Sequence, residues 1–380
     1  MAPIKSSLAR SAKQLLGLFN TADLGLRGAT QETKKFKIPL ATGGTITQPG
    51  DGYVYHTFIV SVSSPYPDVT PNTSETFQTG PVSRSCDYLI IGGGGAGGHS
   101  PSGQTTGGGG GAGAVIYKSG VTLSAGTTYP VTVGKGGEAN PAGNDVAAVN
   151  DGDDSIFNSL TANGGGAGGR GGGAGEAARS GGSGGGGGAG YPGNPRSGGA
   201  APGTSTHPGS GTDVASPNDG FGTAGGDGGG SPNNTSSGGG GGGAGGGGGD
   251  GASNYPPGSA GGDGGIGAYY TVNGTAKGVG GGAHAGSYNV AGRTGNAILY
   301  GGGHQESDPW NSGLPSVGGA VGSAIPLIYP ADQTRHEGLD GTGGGGFGGA
   351  RGTKLNGGSN TNTSARGGCG LVQIRYSEPT

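Results

Sequence analysis

DYLIIGGGGAGG, residues 87–98, runs an apolar segment directly into a glycine cluster. Tyr88 to Ile91 has the length of a buried strand, and Gly92, Gly94 and Gly97 satisfy the G-x-G-x-x-G spacing of a dinucleotide-binding loop. That chemistry needs a helix after the glycines, to aim its N-terminus at the pyrophosphate, and an acidic residue about twenty positions on for the ribose. The chain instead continues HSPSGQTTGGGGG, which contains Pro101 and more glycine, and no Asp or Glu occurs between Tyr88 and Gly137. A phosphate loop of the G-x-x-x-x-G-K-[ST] type is absent as well, since Gly134-Lys135 lacks both the earlier glycine and the hydroxyl residue. The glycines must serve another purpose.

Glycine supplies 105 of the 380 residues and hydrophobic residues only 29%, so a core of ordinary size is excluded. Disordered chains share low hydrophobicity but carry high net charge, whereas here charged residues are 11% and the net charge is -3. The charge is uneven: residues 1–37 carry seven cations and two anions, a net of +5, which leaves -8 for the remainder. Cys86 and Cys369 stand at the two ends of the glycine-rich region and are too few for a disulfide framework; one bridge or two buried thiols are both open. No run approaches the ~18 apolar residues of a membrane span, and the cluster Leu15 to Phe19 is too short for a signal sequence. No membrane insertion, nucleic-acid partner or cofactor is expected.

Three regions follow. IKSSLARSAKQLLGLF predicts a short amphipathic helix with Ser6 or Ser7 as N-cap, and Leu8, Ala12, Leu15, Leu16 and Phe19 form its apolar stripe. One short helix must dock on something, so residues 1–36 are read as a docking segment, with Leu8, Leu15, Leu16 and Phe19 as its contact residues. Residues 37–86 alternate apolar and polar side chains with glycine and proline punctuation, the pattern of antiparallel strands. In YVYHTFIV, Val54, His56, Phe58 and Val60 share one face and Tyr53, Tyr55, Thr57 and Ile59 the other. Residues 87–376 repeat a glycine run and a connector at irregular intervals, which is not a solenoid period. Short strands are expected at AVIY (114–117), YPVTV (129–133), AILY (297–300) and LVQIRY (371–376).

Glycine runs are poor helix and strand material, because fixing each backbone costs roughly 1–2 kcal/mol and no side chain is buried in return. The polyproline-II conformation suits them: three residues per turn and ~3.1 Å per residue leave every N–H and C=O pointing outward. Without Cβ atoms such helices pack side by side and bond to several neighbours. The expected fold class is therefore mainly β and irregular: a short N-terminal helix, an antiparallel β lead-in, then a polyglycine-II helix sandwich bracketed by short strands. Collagen is excluded, since glycine does not recur strictly at every third position.

Catalytic and metal motifs are wanting. NDGDDSIF, residues 150–157, has the aspartates of a calcium loop but lacks its glycine and its final glutamate, so a solvated turn before a strand is expected. The six histidines lie far apart with no metal-ligand spacing, and the G-x-S-x-G matches are those this composition produces by chance. No catalytic or metal residue is assigned, and the chain is not expected to be an enzyme. Recognition is sought in the glycine-poor connectors, because loops on a rigid scaffold commonly carry binding. GHQESDPWNSG, from Gly303, holds His304, Asp308 and the single tryptophan Trp310; PLIYPADQTRHEG, from Pro326, adds Tyr329, Arg335 and His336. An aromatic ring beside polar groups suits a carbohydrate or protein contact, and equally a ring plugging a loop against its scaffold.

The ordered series ATGGTITQPGDGYVYHTFIVS, SETFQTG, CDYLIIGGGGAGG, GAVIYKSGVTLSAGTTYPVTVGKGG, DSIFNSLTANGGG and GGCGLVQIRY resembles the glycine-rich domain of many bacteriophage virion proteins, often tail fibres and spikes. The glycine-rich region is similar to the polyglycine-II sandwich of tail-fibre-tip adhesins, and the basic N-terminus, more loosely, to virion-docking segments. The resemblance implies a tail fibre or spike on the virion exterior. Residues 1–36 would bind other virion proteins in tail or capsid, and the loops would bind a host-surface glycan or protein. It also implies a homo-oligomer, a trimer by analogy with fibres. A capsid-decorating head fibre is the alternative, and an ice-binding protein a more distant one.

Overall fold

A computed structural model describes residues 41–60, 73–99, 106–138, 151–172, 177–190, 222–230, 238–251, 264–265, 267–273, 275–283, 296–297, 304–305, 338, 340–346, 348 and 364–378. The chain divides into two units, Met1–Ile38 and Pro39–Thr380. The expected N-terminal helix and its contact residues Leu8, Leu15, Leu16 and Phe19 lie outside the described residues.

The second unit is mostly β-strand in antiparallel sheets, with no helix among the described residues. In chain order the strands are β1 (Thr45–Thr47), β2 (Tyr53–Ile59), β3 (Thr73–Gln78), β4 (Arg84–Ile91), β5 (Val115–Leu123), β6 (Thr128–Val133), β7 (Ser155–Phe157), β8 (Leu160–Ala162), β9 (Ala268–Val272), β10 (Thr275–Val279), β11 (Asn296–Ala297), β12 (His304–Gln305) and β13 (Leu371–Ser377). Two sheets dominate, one ordered β1-β2-β13-β4-β5 and one ordered β3-β6-β7-β8; β9–β10 and β11–β12 are two-stranded. The C-terminal strand β13 thus lies in the middle of the larger sheet, between β2 and β4.

Strand alternation explains the core. From the five-stranded sheet, Val54, His56, Phe58, Tyr88, Ile90, Val372, Ile374 and Tyr376 are buried on one face. Phe77, Val131, Val133 and Phe157 meet them from the four-stranded sheet. Phe157 is edge-on to both Phe77 and Tyr88, at centroid distances of 6.2 and 5.2 Å, the aromatic geometry that gains most beyond area burial. On its other face the larger sheet buries Leu89, Ile91, Val115 and Leu371 with Ala244. Asn273, held at φ 49° in the β9–β10 turn, also reaches this sheet. Its Oδ1 accepts from Thr57 Oγ1 at 2.7 Å and its N–H donates to Gln373 Oε1 at 2.9 Å.

Seven of the described glycine-rich segments leave or enter these strands at one end. β4 continues into 92–98, β6 into 134–137, β8 into 163–172 and β10 into 280–283. β5, β7 and β13 are preceded by 107–114, 151–154 and 364–370. Because neighbouring strands are antiparallel, exits and entries fall on the same edge. The segments gather there as a bundle bonded through the backbone.

The bonding has a period of three. Gly92, Gly95 and Gly98 donate to Ala114, Gly111 and Gly108 in one neighbouring segment, at 3.0, 2.8 and 2.8 Å. Gly94 and Gly97 donate to Gly368 and Ala365 in a second, and Gly93 to Asp153 in a third. Residues 108–114 follow the same rule: Gly108, Gly111 and Ala114 donate to Gly169, Gly166 and Asn163, Gly109 and Ala112 to Gly239 and Gly242, and Gly110 and Gly113 to Gly346 and Gly343. Each of these two segments therefore donates to three others and accepts from three more, and the buried amides that glycine cannot shield with a side chain are bonded to protein carbonyls.

Candidate functional site

Glycine is required here by space. A Cβ on Gly93 would collide with the Lys135 carbonyl, one on Gly94 with that of Gly344, one on Gly95 with that of Gly166 and one on Gly98 with that of Gly169. The obstacles are backbone, so no side-chain rearrangement relieves them. The amides of Gly92 to Gly95, Gly97 and Gly98, which a dinucleotide phosphate would require, already donate to carbonyls of other segments. Alanine enters only at particular positions of the bundle: Ala96, Ala112, Ala114, Ala167, Ala189 and Ala283 are all buried.

Carboxylates complete the bonding where a backbone neighbour is wanting. Asp154 Oδ1 accepts from Gly164 N–H and Asp151 Oδ1 from Ala167 N–H, both at 2.8 Å. The donors stand three residues apart, as do the acceptors, so the aspartate spacing matches the period of the bundle. Asp340 joins two segments: its carboxylate pairs with Arg366 at 3.0 and 3.2 Å and accepts the Cys369 N–H at 3.0 Å. Burial alone would raise the Asp340 pKa, but these hydrogen bonds outweigh it and hold the group below the ordinary carboxylate value. NDGDDSIF reads in sequence as a solvated turn before a strand; a strand does follow, but two of its aspartates act as acceptors for glycine-segment amides. The legible signal was their three-residue spacing.

At the end of the bundle remote from the sheets, the chain leaves the described residues at His99, Gly172, Gly190, Gly230 and Gly348. It returns there at Thr106, Gly238 and Ser364. The crossings are tied together: Gly171 N–H donates to His99 O, Gly172 to Ala189 O, Ala189 to Thr106 O, and Gly238 to Thr106 Oγ1 at 2.7 Å. Connectors 100–105, 231–237 and 349–363 therefore begin and end on this surface. The residues predicted to bind a receptor belong to a different connector, which departs after Ala283, bonded at the level of Gly110, and rejoins at Gly338. Of these, His304 has a described backbone, paired with Ala297 in the β11–β12 ladder. Asp308, Trp310, Tyr329, Arg335 and His336 lie outside the described residues.

Several ionisable groups of the sandwich formed by the two main β-sheets are engaged structurally. On the outer face of the larger sheet, Arg375 on β13 pairs with Asp87 on β4 at 2.9 Å, donates to Tyr117 Oη on β5 at 3.3 Å and lies 4.7 Å over the Tyr53 ring of β2. Inside, His56 Nδ1–H donates to Gly43 O at 2.8 Å, leaving Nε2 to accept from Tyr376 Oη at 3.0 Å, while the Ala41 N–H donates to that same hydroxyl. Burial lowers the His56 pKa and holds the ring neutral. Cys86 and Cys369 are free, and burial pushes both thiols up to about 12. Among the described residues no group of three or more His, Cys, Asp or Glu is placed to hold a metal ion. No described helix is long and apolar enough to cross a membrane.

The family model for the glycine-rich domain matches residues 70–283, more than half of the chain. The chain belongs to the glycine-rich domain family. The match takes in β3 to β10 and the glycine segments up to residue 283, so much of the period-three bundle and of the strands that feed it lies within this glycine-rich domain. No curated protein and no solved structure matches the chain.

Proposed function

We propose that this glycine-rich protein is a non-enzymatic structural component of a bacteriophage virion, a tail fibre or spike whose glycine segments are packed polyglycine-II helices. The observation that carries the reading is the period-three exchange of backbone hydrogen bonds among segments that tolerate no Cβ, because three residues per turn is the repeat of that helix. Such a bundle is a stiff scaffold made without a large hydrophobic core. It also separates two ends: strand turns close one, and chain crossings that hold connectors crowd the other. Connectors anchored on a rigid end suit recognition of a host-surface glycan or protein. The docking segment 1–36 joins the protein to other virion components, and the virion exterior is its location.

Labelling particles with antibody against the purified chain and imaging them tests the assignment. Label at the tail, with reduced adsorption when purified protein is added to host cells before infection, is the expected result. Label confined to the head makes the chain a head fibre, and particles without label overturn the reading.

A further inference from the structure

β2 runs from Tyr53, at the sandwich end remote from the glycine bundle, to Ile59 beside the bundle. It pairs with β13 over seven residues, from Leu371↔Ile59 to Ser377↔Tyr53, and β13 pairs in turn with β4, which continues straight into the glycine segment 92–98. Among the described residues only the three-residue β1 and short flanking segments precede β2, so β2 is the first long strand of the second unit to take up tension from the N-terminal side. Hydrogen bonds between antiparallel strands lie perpendicular to the strands. Tension along the strand axis therefore loads all bonds of the β2–β13 ladder together, in shear. Tension between Tyr53 and Ser377, which are partners at one end of the ladder, opens them one at a time.

We propose that the β2–β13–β4 strip is a mechanical clamp, which carries axial load between the N-terminal side of the second unit and the connector-bearing end of the bundle. Side chains lace the strip on both faces at the end where load enters. Outside, Tyr53, Arg375, Asp87 and Tyr117 link β2, β13, β4 and β5 in one network. Inside, Tyr376 of β13 joins His56 of β2 to the Ala41 amide. The bundle continues the arrangement, since its segments extend the strands and exchange backbone bonds sideways along their length. The biological use of the clamp rests on the fibre reading; the direction of loading rests on strand order alone.

Single-molecule stretching of the full chain between cysteine handles tests it. The native thiols, 1% and 0% exposed, stay silent, so Gln48→Cys in the exposed β1–β2 turn is paired with either Asn234→Cys or Ser377→Cys. Asn234 lies in a connector whose flanks, Gly230 and Gly238, sit at the remote end of the bundle. The 48–234 pair is expected to yield at a severalfold higher force than the 48–377 pair, and equal or lower force overturns the clamp. Arg375→Met is expected to lower the axial force; an unchanged force removes the outer network from the assignment. Equal forces in a protein that labels the tail defeat the clamp and leave the fibre, whereas directional strength in a protein missing from particles does the reverse.

Discussion

His56 shows how one buried side chain sets a pH limit on this fold. With Nδ1–H committed to Gly43 O and Nε2 accepting from Tyr376, a second ring proton would face a hydroxyl that already takes the Ala41 amide. The neutral form is favoured in the folded state, so the His56 contribution is complete above the unfolded value near ~6.5 and is lost as pH falls below it. Thermal melts between neutral and mildly acidic pH are expected to show falling stability, and a His56→Gln variant to show a shallower fall; parallel profiles would contradict this. Asp340 has the opposite charge and a lower window. Its depressed pKa means that its stabilisation is present above the ordinary carboxylate value of ~3.9 and disappears as pH falls through the folded value. Asp340→Asn is expected to cost ~1–3 kcal/mol at neutral pH, with the gap to the parent closing in acid. The thiols give the simplest check: native protein should leave Cys86 and Cys369 unmodified by a disulfide reagent, and denatured protein should expose both.

At the scale of elements, the glycine segments differ from strands in what they tolerate. A β-strand hides its backbone under side chains on two faces, whereas a segment such as 92–98 touches other backbones all round. Gly94→Val places a branched side chain against the Gly344 carbonyl and is expected to destabilise by ~3 kcal/mol or more, read as a large drop in melting temperature or lost expression. Gly190 has open space around its Cβ position, and Gly190→Ala is expected to leave stability within ~1 kcal/mol of the parent. If both variants melt like the parent, backbone contact is not what holds the bundle. Several strands were legible from alternation, whereas β9 and β10 were not, and residues 298–300 of the expected strand AILY lie outside the described residues. Val54, His56 and Phe58 are buried together, and LVQIRY lies within β13, because a period of two is written into neighbouring residues. Which strands pair was not legible, because β2 meets β13 across more than three hundred residues and many aliphatic strands would satisfy the same alternation.

For the unit as a whole, the bundle and the sandwich share strands and hydrogen bonds without a break: Gly92 donates to Ala114, and Gly370 to Gly134, where strands become glycine segments. Each glycine bond contributes a net ~0.5–1.5 kcal/mol and each close Cα–H···O contact up to ~1 kcal/mol more, against a backbone entropy cost of ~1–2 kcal/mol per residue, so a segment holds only with its neighbours in place. The second unit is therefore expected to unfold in one cooperative transition, with circular dichroism and calorimetry giving coincident midpoints; a separate early transition for the bundle would show that sandwich and bundle are independent.

What the amino-acid sequence determined by itself was local. Glycine clusters excluded an ordinary core, alternation marked strands, and the missing helix and acid after Gly98 removed the nucleotide reading. Tertiary structure alone decided which carbonyl each glycine amide meets, why Asp151 and Asp154 stand three residues apart, and that Tyr376 and His56 close the sandwich around Ala41. The physical reason is that glycine has no side chain with which to encode a partner. A run of identical residues specifies a conformation and a repeat, while the identity of its neighbours is set by the strands and turns that hold each run in place.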